Sequence, residues 1–180
     1  MKKLITIVSL VFMSTSAFAD QELVLASDKG TVEFLAKGWP ALLKIKGKGE
    51  GASGSLKVVD NKASGKVELN IASFTTGISL RDDHMKNKYL QVEEYPKAVL
   101  TLKDLALPKN LKGKTKFSGL LKLHNVEKPV EGKLVLKGTK KNINTVKAEF
   151  TLKISDFGIA IPSFKGVTVA EDVKINVTSR

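Results

Sequence analysis

Strict period-two alternation of apolar and polar residues runs through this sequence and restricts most of it to strands with one dry face. From Val146 to Ser155, the series Val146, Ala148, Phe150, Leu152, Ile154 alternates with Lys147, Glu149, Thr151, Lys153, Ser155. Successive side chains of a strand point to opposite faces, so this run describes a strand packed on one side and wet on the other. Val67, Leu69, Ile71 against Lys66, Glu68, Asn70 repeats the pattern, as does Val173, Ile175, Val177 against Lys174, Asn176, Thr178. Shorter versions stand at Val32-Phe34-Ala36, Phe117-Gly119-Leu121-Leu123 and Leu134-Leu136. Further strands are expected at 42–48, 53–59 and 98–105.

Turn residues separate these runs at Asp60-Asn61-Lys62, Pro108-Lys109-Asn110, Asn125 to Pro129 and Gly138 to Asn142. Connections this short join antiparallel neighbours. About eight strands with one apolar face each either stack as a sandwich or close into a barrel, and periodicity does not choose between the two. One segment leaves the β rhythm. Ser79-Leu80-Arg81-Asp82 matches a capping box, Asp82 and Asp83 complement the positive end of a helix dipole, and Lys86 and Lys88 follow toward the negative end. With Leu80, His84, Met85 and Tyr89 recurring at helical spacing, a short helix ending by Val92 is expected as the one insertion in an all-β chain.

The N-terminus reads as a signal peptide over residues 1–19. Met1-Lys2-Lys3 is a basic n-region, Leu4 to Met13 an apolar core, and Ala17-Phe18-Ala19 a small-residue cleavage site. The apolar run falls short of the ~18–20 residues that span a bilayer. Cleavage after Ala19 leaves residues 20–180 as one domain, and the compact bacterial-type signal points to the periplasm. With no cysteine in the chain, disulfides, thiolate metal sites and an acylated N-terminal Cys are excluded. A chain of about 160 residues buries roughly 70% of its unfolded surface, which is enough for one core without staples. Net charge is +12, or +10 once Lys2 and Lys3 are removed. The lysines are scattered singly, and the only arginines are Arg81 and Arg180, so nucleic acid is not an expected partner. The charge suits solvation of the strands' outer face and weak attraction to an anionic membrane surface.

Three stretches then carry a resemblance. The first runs from Ser73-Phe74-Thr75-Thr76-Gly77 through Arg81-Asp82-Asp83-His84-Met85 to Tyr89-Leu90-Gln91-Val92-Glu93-Glu94-Tyr95-Pro96-Lys97-Ala98. The second is Gly119 to Val130 with its Lys128-Pro129-Val130 ending, and the third is Phe150 to Ile159 containing Asp156-Phe157-Gly158-Ile159. In order and spacing they resemble the YceI-like family of periplasmic polyisoprenoid- or lipid-binding proteins. The resemblance implies a lipocalin-like, up-and-down antiparallel barrel of about eight strands with one short helical insertion. It further implies a binding or carrier protein, not an enzyme, that holds a polyisoprenoid, isoprenoid quinone or fatty-acid derivative inside the barrel. Where that family carries aromatic residues, Gly49 and Ala52 stand here, and they predict either a wider cavity at that end, space filled by Trp39, or a more flexible rim.

Core packing by itself explains the apolar-face aromatics Phe34, Phe74, Phe117, Phe150, Phe157 and Trp39. Under the resemblance they line the ligand's chain together with Leu69, Ile71, Leu121 and Leu152, while Arg81, His84 and Met85 stand near the mouth and meet a polar head. Arg81 also has Asp82, Asp83 and Glu93 close by in sequence as structural partners. His84 beside Asp82 is the one candidate for acid–base chemistry, but the capping role already accounts for the carboxylates, and one histidine makes a poor metal site. His124 belongs to a turn. No metal or resident cofactor is expected. The partner is an amphiphilic small molecule, and pairing of two barrels into a homodimer stays open. The alternative is a barrel with a filled core that acts as a periplasmic interaction or stress-response module.

Overall fold

The computed structural model describes residues 21–180 apart from 41–42, 109–110, 140–141 and 165. The expected signal peptide and its cleavage site lie outside the described residues, as do the centres of the two turns expected at Lys109-Asn110 and Lys140-Lys141. Eleven strands form one antiparallel sheet: β1 (Gln21–Leu25), β2 (Gly30–Trp39), β3 (Leu43–Glu50), β4 (Ser53–Val59), β5 (Lys62–Asn70), β6 (Lys97–Ala106), β7 (Gly113–Leu123), β8 (Val126–Thr139), β9 (Asn142–Lys153), β10 (Ser163–Phe164) and β11 (Val167–Ser179). Their order is β1-β4-β5-β6-β7-β8-β9-β11-β2-β3, with the short β10 paired to β11 off this path.

That order becomes simple once β1 to β4 are read as one long bent hairpin. Thr31 stands opposite Glu50 and Leu25 opposite Gly54, so the two arms stay side by side across a break at 26–29 in one and 51–52 in the other. At the bend a Cβ on Gly51 would lie 2.6 Å from the Gly30 Cα, so only glycines let the arms approach this closely. The Gly51 amide donates to the Ser27 carbonyl at 2.9 Å and ties the corner. Beyond the bend the arms part: β4 takes β5 as its second neighbour, while β2 takes β11. Counting each bent arm once, eight arms run around the sheet in sequence order, and the last returns to the first. This is the up-and-down antiparallel barrel that the sequence resemblance implies, curled around one core, and the alternation explains its inner face. Phe150, Leu152, Val173, Ile175, Val67 and Leu69 are buried, while Lys147, Glu149, Thr151 and Lys153 are exposed.

The bent arms leave the barrel wall unpaired in two places. β3 has no full strand on its far side, and the gap is covered by Ile71 to Thr76 and the helical segment that follows. A two-way bridge between Lys48 and Thr75, with N···O distances of 2.9 and 2.8 Å, fastens this cover to β3. β1, at the other end of the path, leaves a second opening at the lower end of the barrel. Among the described residues no helix is long and apolar enough to cross a membrane.

The small residues in β3 and β8 are where aromatic rings lie flat on the sheet. A Cβ on Gly47 would meet Phe34 Cζ at 2.2 Å, and one on Gly49 would meet Phe74 Cδ1 at 2.2 Å. The two rings stack with centroids 5.6 Å apart. Gly49 therefore neither widens the cavity nor makes room for Trp39; its space is filled by Phe74, a buried side chain. Gly132 plays the same part between Phe117 and Phe150, its register partners on either side. Their rings meet over it edge to face, 5.9 Å apart.

Candidate functional site

Two cavities in the barrel interior are lined by the described residues. The upper one, about 470 Å³, lies under the helical segment and is walled by β2, β3, β5, β6, β7, β9 and β11. The lower one, about 230 Å³, opens beside β1. Leu69, Leu121 and Phe150 line both, so these three side chains form the waist between them. Of the residues singled out in the sequence, Phe34, Ile71, Phe74, Arg81, His84, Met85 and Leu152 line the upper cavity, and Phe117 lines the lower.

Two expected residues lie elsewhere. Trp39 follows the inward-facing Gly38 and so points outward, 69% exposed, lining neither cavity. Phe157 is 2% exposed in a core position outside both, and its carbonyl oxygen lies 3.2 Å from His124 Nδ1. His124 has the positive φ of a tight turn, as expected. It also pins the turn: its Nε2 lies 2.7 Å from Gln91 Oε1, and its ring meets Tyr95 edge-on at 4.5 Å.

Sequence reading missed the mouth. Leu43, Ile78 and Leu80 line the upper cavity while remaining 45%, 53% and 58% exposed. It also missed Leu90, and left Tyr89 out of the site although Tyr89 shares the expected stripe of His84 and Met85; local winding brings both to the cavity. The helix is α-helical only over α1 (Ser79–Asp83) and then winds as a π-helix over His84–Tyr89, with the Leu90 amide reaching back to the Met85 carbonyl at 2.9 Å. A uniform α-helix carrying Arg81, His84 and Met85 inward would bring Lys88 to the cavity next. The wider π turn inserts a residue, leaves Lys88 exposed, and presents Tyr89 and Leu90 instead.

The expected capping box does not form. Ile78 occupies the N-cap position without a side-chain bond, and the Asp82 amide bonds the Ile78 carbonyl at 2.9 Å. The Asp82 carboxylate reaches back past it. Its Oδ2 accepts from Thr75 Oγ1 at 2.5 Å, and its Oδ1 accepts from the Thr76 amide at 2.7 Å and from Thr76 Oγ1. Arg81 is held by the same threonine, with Nε donating to Thr76 Oγ1 at 2.8 Å and a terminal guanidinium nitrogen to the Thr76 carbonyl at 3.1 Å. Because Thr75 is also the residue bridged to Lys48, this network fastens the helical cover and the cavity-lining Arg81 to β3. Partial desolvation pushes the Asp82 carboxyl upward. The bonds from Thr75 and Thr76 and the charge of Lys86 outweigh that and hold it below the ordinary aspartate value.

Asp82→Asn is therefore expected to lower unfolding stability at neutral pH by about 1–2 kcal/mol, the difference between charged and neutral hydrogen bonds at a partly exposed site. A depressed folded-state value means this contribution is complete above the unfolded pKa of about 3.9 and is lost as pH falls through the lower folded value. Urea titrations at neutral pH and below pH 4 check this: the gap between the two proteins closes in acid.

The site is apolar nearly throughout, with the Arg81 guanidinium, the His84 ring and the Tyr89 phenol as the ionisable groups on its wall. Among the described residues no three His, Cys, Asp or Glu side chains are grouped to hold a metal ion. Such a chamber can desolvate a long apolar chain and leave one polar end at Arg81.

Comparison with solved structures shows the same fold. The crystal structure of BcnA from Burkholderia cenocepacia superposes with a TM-score of 0.66 at 18% identity, covering 87% of this chain and 99% of that one. A polyisoprenoid binding domain from Saccharophagus degradans, implicated in plant cell wall breakdown, gives 0.63 at 12% identity over 86% and 94%. The YceI protein of Campylobacter jejuni gives 0.54 at 19% identity over 76% and 85%. No curated protein matches the chain in sequence. The model of the YceI-like domain matches residues 23–180, almost the whole of the described barrel, and the chain belongs to that family.

Proposed function

We propose that this protein is an exported, non-enzymatic carrier that holds one long-chain amphiphile in the upper cavity of its barrel. The polyisoprenoid, quinone and fatty-acid classes all fit the chemistry of the site. The observation that carries the reading is the 470 Å³ chamber under the helical cover, with an almost wholly apolar wall and Arg81 on it. Its volume lies within the range of pockets that enclose small molecules. Each methylene buried there gains ~0.8 kcal/mol, so a long chain is retained without any polar contact to its length. Arg81, preset by Thr76, supplies the contact that selects an anionic or carbonyl head. The family relationship and the fold shared with a polyisoprenoid binding domain support this reading. The basic, apolar, small-residue N-terminal segment supports delivery to the periplasm.

The test is direct. The full chain is expressed with its own N-terminal segment, purified from the periplasmic fraction without detergent, extracted with organic solvent and analysed by mass spectrometry. One amphiphile per chain is the expected result. An empty extract, combined with no uptake of isoprenoid, quinone or fatty-acyl probes, removes the proposal.

A further inference from the structure

Among the described residues, three of the large apolar side chains that remain exposed, Leu43, Ile78 and Leu80, gather at the upper mouth, with Trp39 near them on the outer face of β2, while Val24, Val59 and Leu120 lie elsewhere. Leu43, Ile78 and Leu80 stand at the edge of the cavity, and Trp39 is 69% exposed one residue beyond Gly38, whose register partner is Leu43. Contiguous exposed apolar residues with a charged surround mark a surface that something covers. Here the surround is cationic on the β2–β3 side. Lys37 and Lys44 are exposed directly opposite one another across the pair, and Lys46 follows on the same outer face. Like charges in that position destabilise a sheet, a cost offset when anions approach. On the other side of the mouth, the helical segment adds Lys86 and Lys88 beside the carboxylate of Asp83.

We propose that this mouth, with Trp39, Leu43, Ile78 and Leu80 inserted and Lys37 and Lys44 against the head groups, docks on the surface of an anionic bilayer. The proposal rests on the carrier reading and deepens it. A long-chain amphiphile leaves a membrane at a cost of ~0.8 kcal/mol for each methylene that crosses water. A mouth seated in the interface lets the chain slide from one apolar medium to the other, because three of the inserting side chains, Leu43, Ile78 and Leu80, are also the cavity's edge. Tryptophan suits the position, since its ring settles at the level of the head groups. Each lysine near an anionic surface adds attraction. A protein partner would cover the same apolar patch but would block the exit of the cargo.

Trp39 is the only tryptophan in the chain, so the protein carries its own reporter at the proposed contact. With vesicles of phosphatidylcholine containing phosphatidylglycerol, Trp39 emission is expected to shift to the blue and to be quenched by lipids brominated on their acyl chains. Pure phosphatidylcholine should give far weaker binding. The double variants Ile78→Ser/Leu80→Ser and Lys37→Glu/Lys44→Glu should each weaken binding by roughly tenfold or more, from lost apolar burial and lost attraction respectively. All four positions are on or near the surface, and unchanged thermal unfolding verifies that the variants fold.

The control is the other lysine-rich surface, the outer face of β7 to β9, where Lys116 lies directly opposite Lys133. Absence of vesicle binding overturns the proposal. So does binding that leaves Trp39 emission unchanged, or binding that Lys116→Glu/Lys133→Glu removes while the mouth variants do not. Amphiphile in the solvent extract of a chain that fails to bind vesicles overturns the docking and leaves the carrier reading standing. Trp39-reported binding by a chain whose extract is empty does the reverse.

Discussion

Replacing Phe150 by alanine is expected to lower the free energy of unfolding by about 3–5 kcal/mol, the range for a fully buried phenylalanine. Phe150 is 5% exposed, meets Phe117 edge to face over Gly132, and lines both cavities. Its removal takes away the ring that separates the two chambers. The void left behind joins empty space on both sides, where no neighbouring backbone can collapse to fill it. Domains of this size commonly have only about 5–15 kcal/mol to lose, so the variant should unfold at much lower urea concentration. Urea titration followed by circular dichroism checks the magnitude. A loss below about 1 kcal/mol would show that the waist is not packed as described. Phe117→Leu, which keeps an apolar side chain under the same neighbour, is expected to cost less.

Most of the fold was legible because a strand with one buried face writes its period into the sequence. The runs around Val67, Phe150 and Val173 needed nothing else. The short β1 was not legible, since Val24 is apolar and yet 71% exposed and spoils the alternation of Gln21–Leu25. Barrel closure was not legible from periodicity either. It depends on β11 finding β2, at opposite ends of the chain, and no local pattern encodes that pairing. It came from resemblance. The expectation of about eight strands survives only when the bends are understood: Gly30 and Gly51 break two arms into four strands without adding a place around the barrel.

The site was legible where it coincided with the core and illegible where it depended on exact local winding. Phe34, Leu69, Leu121 and Leu152 face inward because their strands alternate. Trp39 was misplaced because it ends its strand one residue past an inward glycine, so its large apolar side chain falls on the wet face. Leu90 was missed because a π turn shifts the helical phase, and spacing rules assume an α-helix; Tyr89 shared the expected stripe of His84 and Met85 but was not counted as lining the site. Asp82 was read as a capping residue because its distance from Ser79 is right. The threonines at 75 and 76 lie before the helix, and a local motif does not look that far back. Gly49 was open to three readings, a wider cavity, space filled by Trp39 or a flexible rim, and only the structure shows Phe74 lying over it.

Ala36→Phe is the substitution expected to empty the carrier while leaving the barrel standing. Ala36 is 5% exposed on the inner face of β2, with Ile45 and Val173 as its register partners, and all three line the upper cavity. A phenyl group there has free volume to enter, so the strain of overpacking, commonly about 1–3 kcal/mol, should fall at the low end of that range. The ring excludes the stretch of ligand that would otherwise occupy its place. Displacing roughly four methylenes at ~0.8 kcal/mol each removes about 3 kcal/mol of binding, a loss of more than a hundredfold in affinity. Titration with a fluorescent long-chain acyl or polyprenyl probe measures it, with thermal unfolding recorded on the same protein. Leu120→Phe, on the outer face of β7, introduces the same ring with a smaller gain in size and without touching either cavity, and should bind like the parent. If Ala36→Phe folds and also binds like the parent, the chain of the amphiphile does not lie in the upper cavity, because no slender molecule can share that volume with the ring. If both substitutions weaken binding equally, the effect reports on stability and not on occupancy, and the comparison of the two separates these cases.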